Sequence, residues 1–251
     1  MPNKGKKVLL LGGTAEARQI AEAAVTQLPR DIEIISSFAG RTRRPQDPPG
    51  LVREGGFGGA QGMIDYIRKE DVRLVVDATH PFAATISDHA YDACHVAEVS
   101  RLQLVRPPWR LPPSARWVEV ADMASAAEAI SGFAKRVLLS TGTQSISAFA
   151  GLEDIWFLVR MIDQPPEPLD LANHELILAR PPFGLADEQA LMETHSIDTL
   201  VSKHAGGKQP AKIDAALALG VVIVLIQPPP PPPGTRAAGV DEVLTWIRTQ
   251  I

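Results

Sequence analysis

An α/β fold with parallel sheets in two domains is predicted by three features of the chain. Short runs rich in Val, Ile and Leu alternate with longer segments of helical periodicity, the sequence form of a parallel sheet covered on both faces. Four prolines crowd into residues 106–113 and divide that alternation into two series. The 251 residues, 45% of them apolar, suffice to bury two modest cores.

In the first series, strands are predicted at residues 7–11, 32–37, 74–77 and 102–105, and Ala-rich helices at 15–28, 60–70 and 82–95. Right-handed crossovers are expected throughout. The segment Arg106-Pro107-Pro108-Trp109-Arg110-Leu111-Pro112-Pro113 cannot sit inside a helix or a central strand. A first domain over 1–107, a Pro-rich linker over 108–113 and a second α/β domain over 114–251 follow. The second series has strands near 117–120, 137–140, 156–162, 175–179, 199–202 and 221–226, with helices near 123–134, 185–195 and 210–219. Pro228 to Pro233 reads as a stiff connector ahead of a last amphipathic helix at 241–251.

Composition removes several classes of function. A net charge of −4 lacks the broad basic surface that nucleic acid or an anionic membrane requires. Cys94 is the single cysteine, so no intramolecular disulfide and no zinc spacing can form. Lys4, Lys6 and Lys7 precede only four apolar residues, Val8 to Leu11, where a secretory segment needs roughly 7–15. A soluble, unprocessed chain in the cytoplasm is expected.

Candidate chemistry lies where strands end. Gly12-Gly13-Thr14-Ala15 follows the first strand and opens the first helix. Glycines there allow a tight turn and close approach to a pyrophosphate, whose charge meets free N–H groups at the helix start. The third glycine of the usual fingerprint is replaced by Arg18, and a plain strand-to-helix turn with Thr14 as N-cap is the alternative. The second strand ends in Ser36-Ser37, then Gly40-Arg41-Thr42-Arg43-Arg44, with no acidic residue for a ribose 2′-hydroxyl. Small hydroxyls and a guanidinium suit a 2′-phosphate, which points to NADPH with Arg41 as its main partner; a solvated basic loop is the alternative. Ser37, Thr42, Gly58 of the Gly55-Gly56-Phe57-Gly58-Gly59 loop and Thr79 complete the expected cofactor contacts.

Asp77-Ala78-Thr79-His80-Pro81 closes the third predicted strand, which would turn Asp77, Thr79 and His80 toward the nicotinamide. Helix capping by Asp77 or Thr79 is an equal explanation. In the second series Ser140-Thr141-Gly142-Thr143, Arg180, and Ser202-Lys203 with Lys208 lie just past strands, hydroxyls and cations suited to an anionic substrate. Ordinary surface cations are the alternative for each.

Taken together the chain resembles precorrin-6A reductases. The resemblance is carried in order by Leu10 to Arg18, Ala39 to Thr42, Gly56 to Gly59, Asp77 to Ala83, Arg106 to Trp109, Ala179 to Phe183 and Val201 to Gly207. It implies two Rossmann-like domains with a substrate cleft between them. It further implies NADPH bound by the N-terminal half and reduction of one double bond of a corrin precursor macrocycle, in its metal-free or its cobalt-containing form. Thr141, Gly142, Thr143, Arg180, Ser202 and Lys203 would then meet the acetate and propionate arms. Lys203, His80 or Asp77 would deliver the proton that accompanies the hydride. The partner is a small-molecule tetrapyrrole, with no nucleic acid, membrane or metal ion, and the chain acts as a monomer or homodimer.

Two rivals are weighed against this. A short-chain dehydrogenase needs Tyr with Lys four residues later, but Tyr66 and Tyr91 are followed by Glu70 and His95. A non-catalytic dinucleotide sensor would bind NADPH without turnover and expose an apolar patch within residues 114–251.

Overall fold

The computed structural model describes residues 6–38 and 47–251. Its first elements are β1 (Lys6–Leu11), α1 (Ala15–Gln27), β2 (Ile32–Phe38), β3 (Leu51–Glu54), α2 (Gly59–Glu70), β4 (Val72–Asp77), α3 (Ala84–Ala97) and β5 (Ser100–Leu104). Then follow β6 (Trp117–Val120), α4 (Met123–Ser131), β7 (Arg136–Ser140), a 3₁₀ helix (Thr143–Phe149), β8 (Trp156–Met161), β9 (His174–Leu178), α5 (Leu185–Thr194) and β10 (Thr199–Lys203). The chain closes with α6 (Ala211–Leu219), β11 (Val222–Ile226), β12 (Thr235–Ala237) and α7 (Val240–Gln250).

The strands form two six-stranded sheets, ordered β12-β5-β4-β1-β2-β3 and β6-β11-β10-β7-β8-β9. Every pairing is parallel. The first sheet has the doubly wound order 3-2-1-4-5-6 with β12 in the sixth place. The second repeats it from β7, with β6 in the sixth place.

In the first sheet Val8 and Leu10 face α1 and α7, packing with Ile20, Ala21, Val243, Leu244 and Ile247. Leu9 and Leu11 face α2 and α3, packing with Met63, Ile67, Ala90 and Cys94. Burial on both faces is why β1 reads as an unbroken apolar run. In the second sheet Leu138, Leu158, Leu200 and Ile223 pack against Met192 of α5 and Ile213, Ala215 and Ala216 of α6. Among the described residues no helix is long and apolar enough to cross a membrane.

The chain divides into two compact units, one running to Pro107 and resuming at Pro229, the other spanning Pro108–Pro228. The expected second domain, 114–251, is therefore too long at its end and too short at its start. β12 pairs with β5, and Val243, Leu244 and Ile247 need the apolar face that α1 leaves on the first sheet. The expected linker is likewise part of the second unit. Leu111 joins its core, and Trp109 stacks on His204 with ring centroids 4.7 Å apart.

Two strands were not expected. β3 is short and largely exposed at the sheet edge, and β12 has three residues directly after the proline run, so neither carries a hydrophobic signature.

Ile247 is fully buried between α7 and the first sheet. Ile247→Ala is expected to lower unfolding free energy by about 2–5 kcal/mol in urea titrations; a loss below about 1 kcal/mol would show that α7 is not part of this core.

Candidate functional site

In an open parallel sheet, ligands collect at the carboxyl ends of strands where the strand order reverses. That point falls between β1 and β4 in the first unit and between β7 and β10 in the second. The loop after β1 turns at Gly12, whose N–H donates to Ser37 O at 2.9 Å. A Cβ on Gly12 would press on the Phe38 ring at 3.1 Å. Gly13 has φ +107°, a left-handed conformation suited to glycine. Thr14 is the N-cap of α1: its Oγ1 accepts from Ala17 N at 3.1 Å and donates to Ala78 O at 2.7 Å. The hydroxyl thus caps the helix and ties the β1 loop to the β4 loop, while Ala15 opens the helix.

Glu16 in that first turn takes a two-pronged bond from Arg106, at 2.8 and 2.9 Å. Partial burial pushes its carboxyl up, but the Arg106 bond, a backbone N–H bond and the Arg106 charge together outweigh this and hold the pKa below the ordinary range.

Beside the first switch point the structure adds a residue that the sequence did not mark. Arg53, in β3, donates to Ser37 Oγ at 3.2 Å, Gly55 O at 2.5 Å and Gly56 O at 2.8 Å. Its guanidinium lies 3.6 Å from the centre of the Phe57 ring. It therefore joins the end of β2 to the glycine-rich loop, in which Gly58 is the left-handed N-cap of α2. Arg41 and Thr42 lie outside the described residues.

Asp77 is 1% exposed. Its Oδ1 accepts from Thr79 Oγ1 at 2.7 Å and Thr79 N at 3.2 Å, and its Oδ2 faces buried Arg101 Nη1 at 3.7 Å. Arg101 Nη2 donates in turn to Pro233 O at 2.9 Å. Neither Asp77 nor Thr79 caps α3, which begins only at Ala84. The helix expected from residue 82 starts late because Ala83 N–H donates to His80 O at 2.7 Å, making a turn of the Pro81 segment. His80 is exposed, and its Nδ1 accepts from Phe82 N at 3.2 Å, which assigns the neutral ring's proton to Nε2.

At the second switch point Ser140 ends β7 and pairs in register with Ser202 of β10. Thr141 is buried and its Oγ1 has no hydrogen-bond partner among the described residues. Gly142 adopts φ +85° ahead of the 3₁₀ helix that Thr143 opens. Ser202 is wholly buried, with its hydroxyl donating to Lys203 O at 3.3 Å. Burial lowers the pKa of Lys203.

The expected basic rim is differently composed. Arg180 follows β9, the outermost strand and three strand spacings from β10, roughly 14 Å, and forms an exposed ion pair with Asp163. The cations grouped electrostatically with Lys203 are Lys212 in the first turn of α6 and Arg160 of β8. Lys212 donates to Ser140 Oγ at 2.6 Å. Arg160 pairs with Glu188 of α5 at 2.9 Å, both buried.

Residues 7–248 match the family described as precorrin-6x reductase CbiJ/CobK. The chain belongs to this CbiJ/CobK family. It is 47% identical over 247 residues to a precorrin-6A reductase of Rhodococcus erythropolis, covering 97% of this chain and 98% of that one. It is similar to the solved structure of a CobK precorrin-6A reductase, with TM-score 0.87, 34% identity and coverage of 98% and 97%. A cobalt-precorrin-6A reductase of Synechocystis sp. is 28% identical over 85% of each chain.

In this CbiJ/CobK reductase Arg53, Arg160, Glu188 and Lys212 escaped sequence reasoning, since a charge in a local window reads as solvated surface. Its thiol, Cys94, is pushed up to about 12 by burial and stays protonated at neutral pH.

Two predictions follow from the buried charges. Removing one partner of a buried pair strands the other, so Asp77→Ala is expected to cost about 3–5 kcal/mol of stability by urea unfolding; a change under 1 kcal/mol would free Asp77 from this structural role. Burial pushes Lys212 from 10.5 down to about 8, with Arg160 adding to the shift. Between those values the unfolded chain binds the extra proton, so this group makes folding more favourable as pH rises from about 8 toward 10.5. Lys212→Met should flatten that part of the stability-pH curve; an unchanged slope would refute the shift.

Proposed function

We propose that this chain reduces one double bond of precorrin-6A with NADPH, giving the dihydro product precorrin-6B of cobalamin biosynthesis. Family membership over residues 7–248 carries the reading, and the two strand-end sites supply matching chemistry. The metal-free substrate is favoured over the cobalt form by 47% against 28% identity to the respective relatives. The reaction belongs in the cytoplasm, with the enzyme acting as a monomer or homodimer.

The first unit would hold the cofactor. Gly12 and Gly13 keep the β1 loop free of side chains, and no atom lies within 4 Å of where a Cβ on Gly13 would project. Thr14 and Ala15 start a helix whose first N–H groups suit a pyrophosphate. Ser37, Arg41, Thr42 and Gly58 would surround the 2′-phosphate end, with Arg53 holding Ser37 and the glycine-rich loop in place. Thr79, tied to Asp77, would border the nicotinamide end. NADPH supplies a hydride when bound.

The second unit would take the macrocycle through Thr141, Gly142, Thr143, Ser202, Lys203 and Arg180. Lys203 is proposed as the proton source, because burial lowers its pKa and eases release of the proton. His80, with its proton on Nε2, is the second choice. Asp77 is assigned a positioning role, since Thr79 and Arg101 already engage its two oxygens.

The test is NADPH consumption by the purified protein with precorrin-6A, followed by absorbance beside NADH and the cobalt substrate. Turnover with NADPH is expected. Arg41→Ala and Arg53→Leu should each raise KM for NADPH about 10-fold through lost charge-assisted bonds or their support, with little change for NADH. NADPH binding without consumption by either macrocycle would replace this reading with the sensor.

A further inference from the structure

The second switch point contains a cation that the fold itself does not require. Lys212 Nζ makes one hydrogen bond among the described residues, to Ser140 Oγ at 2.6 Å, and has no carboxylate within salt-bridge distance. An ammonium group carries three N–H donors, so Ser140 leaves two of them without a protein acceptor. Glu188, the carboxylate that acts on Lys212 electrostatically, is already engaged by Arg160 at 2.9 Å. Lys212 is partly buried, and withdrawing even part of a cation from water with no anionic partner costs free energy that a methionine in the same space would not incur.

Two further observations concern the same strand end. Thr141, next to Ser140, is 4% exposed, and its Oγ1 lacks any hydrogen-bond partner among the described residues. The group also lies where the strand order of the second sheet reverses, between β7 and β10, the position at which open α/β sheets bind ligands.

We infer that Lys212, seated on Ser140 at the end of β7, is the receptor for one carboxylate arm of the macrocycle. The inference rests on the tetrapyrrole reading above and deepens it. Arg160 is neutralised by Glu188 and acts as a positioning residue, keeping that carboxylate off Lys212. A carboxylate arriving from the substrate would take the remaining N–H donors and offset the charge. The groups acting on Lys212 are Arg160 of β8, Glu188 of α5 and Lys203 of β10. Burial together with the two cations outweighs Glu188 and brings the ammonium down to about 8, so an anion that needs its charge binds more weakly above that pH.

The probe is uroporphyrin, a stable octacarboxylate tetrapyrrole, titrated against the full chain by fluorescence without NADPH, with thermal melts on every variant. Wild type should bind, and binding should weaken as pH passes about 8. Lys212→Met should weaken it roughly 10-fold to 100-fold without lowering the melting midpoint, and Lys212→Arg should recover part of the loss. Unchanged affinity in Lys212→Met, or no binding by wild type, overturns the inference. If Lys212→Met does not fold, Ser140→Ala decides: several-fold weaker binding supports the receptor, and unchanged affinity overturns it. Turnover of precorrin-6A is scored separately. Turnover with a Lys212-independent affinity sinks this site alone, whereas Lys212-dependent binding without turnover sinks the reductase reading alone.

Discussion

All ten strand pairings among the described residues are parallel, and that constraint organises the rest of the molecule. A parallel strand can be re-entered only from its starting end, so the chain must return across a sheet face between strands. Every strand exit in a sheet then lies on one edge. Each sheet extends in two directions from a central strand, β1 or β7, which leaves two neighbouring exits whose following segments depart to opposite faces. Gly12, Gly13 and Thr14 share one such gap with Asp77 and Thr79, and Ser140 and Thr141 share the other with Ser202 and Lys203. The two candidate sites follow from strand direction before any side chain is considered.

The sixth place in each sheet is filled out of sequence, by β12 in one and β6 in the other. The proline run makes the first possible. It brings β12 beside β5 and α7 onto α1, so the unit that begins the chain is also the one that ends it. The closure reaches the first switch point through Arg101, which donates to Pro233 O and faces Asp77, whose other oxygen holds Thr79. A bond network thus joins the late proline segment to a loop coded more than 150 residues earlier. That continuity explains why Asp77 is buried although it ends a strand at a ligand edge.

What could be read from the sequence divides along the same physical line. Strands buried on both faces, such as β11 and β1 from Val8 onward, are uniformly apolar and were legible with near-correct ends. Edge strands β3 and β12 are short, exposed and bounded by Pro or Gly, and left no pattern. Local motifs at Gly12 to Thr14 and Thr141 to Gly142 were visible because their meaning lies in adjacent residues. The buried and half-buried cations were not, because their partners are distant: Lys212 meets Ser140 across 72 positions and Arg160 meets Glu188 across 28. Arg180 shows the converse, a strand-end arginine whose edge position and exposed pairing with Asp163 separate it from the group it was expected to join.

The buried and half-buried cations also differ in how they are satisfied, and the difference sorts their roles. The guanidinium of Arg53 closes on Ser37 and two carbonyls, Arg106 closes on both oxygens of Glu16, and Arg160 closes on Glu188. A planar fork with several fixed donors is suited to saturating its surroundings and stiffening a loop. Lys212 has instead a compact charge on a flexible stem and one hydroxyl partner. In a chain of net charge −4, an anionic substrate needs a local positive centre, and one already closed by protein carboxylates would not serve. The arginines therefore build the frame, and on the proposed reading the lysine at the second switch point is the cation that answers an anionic substrate.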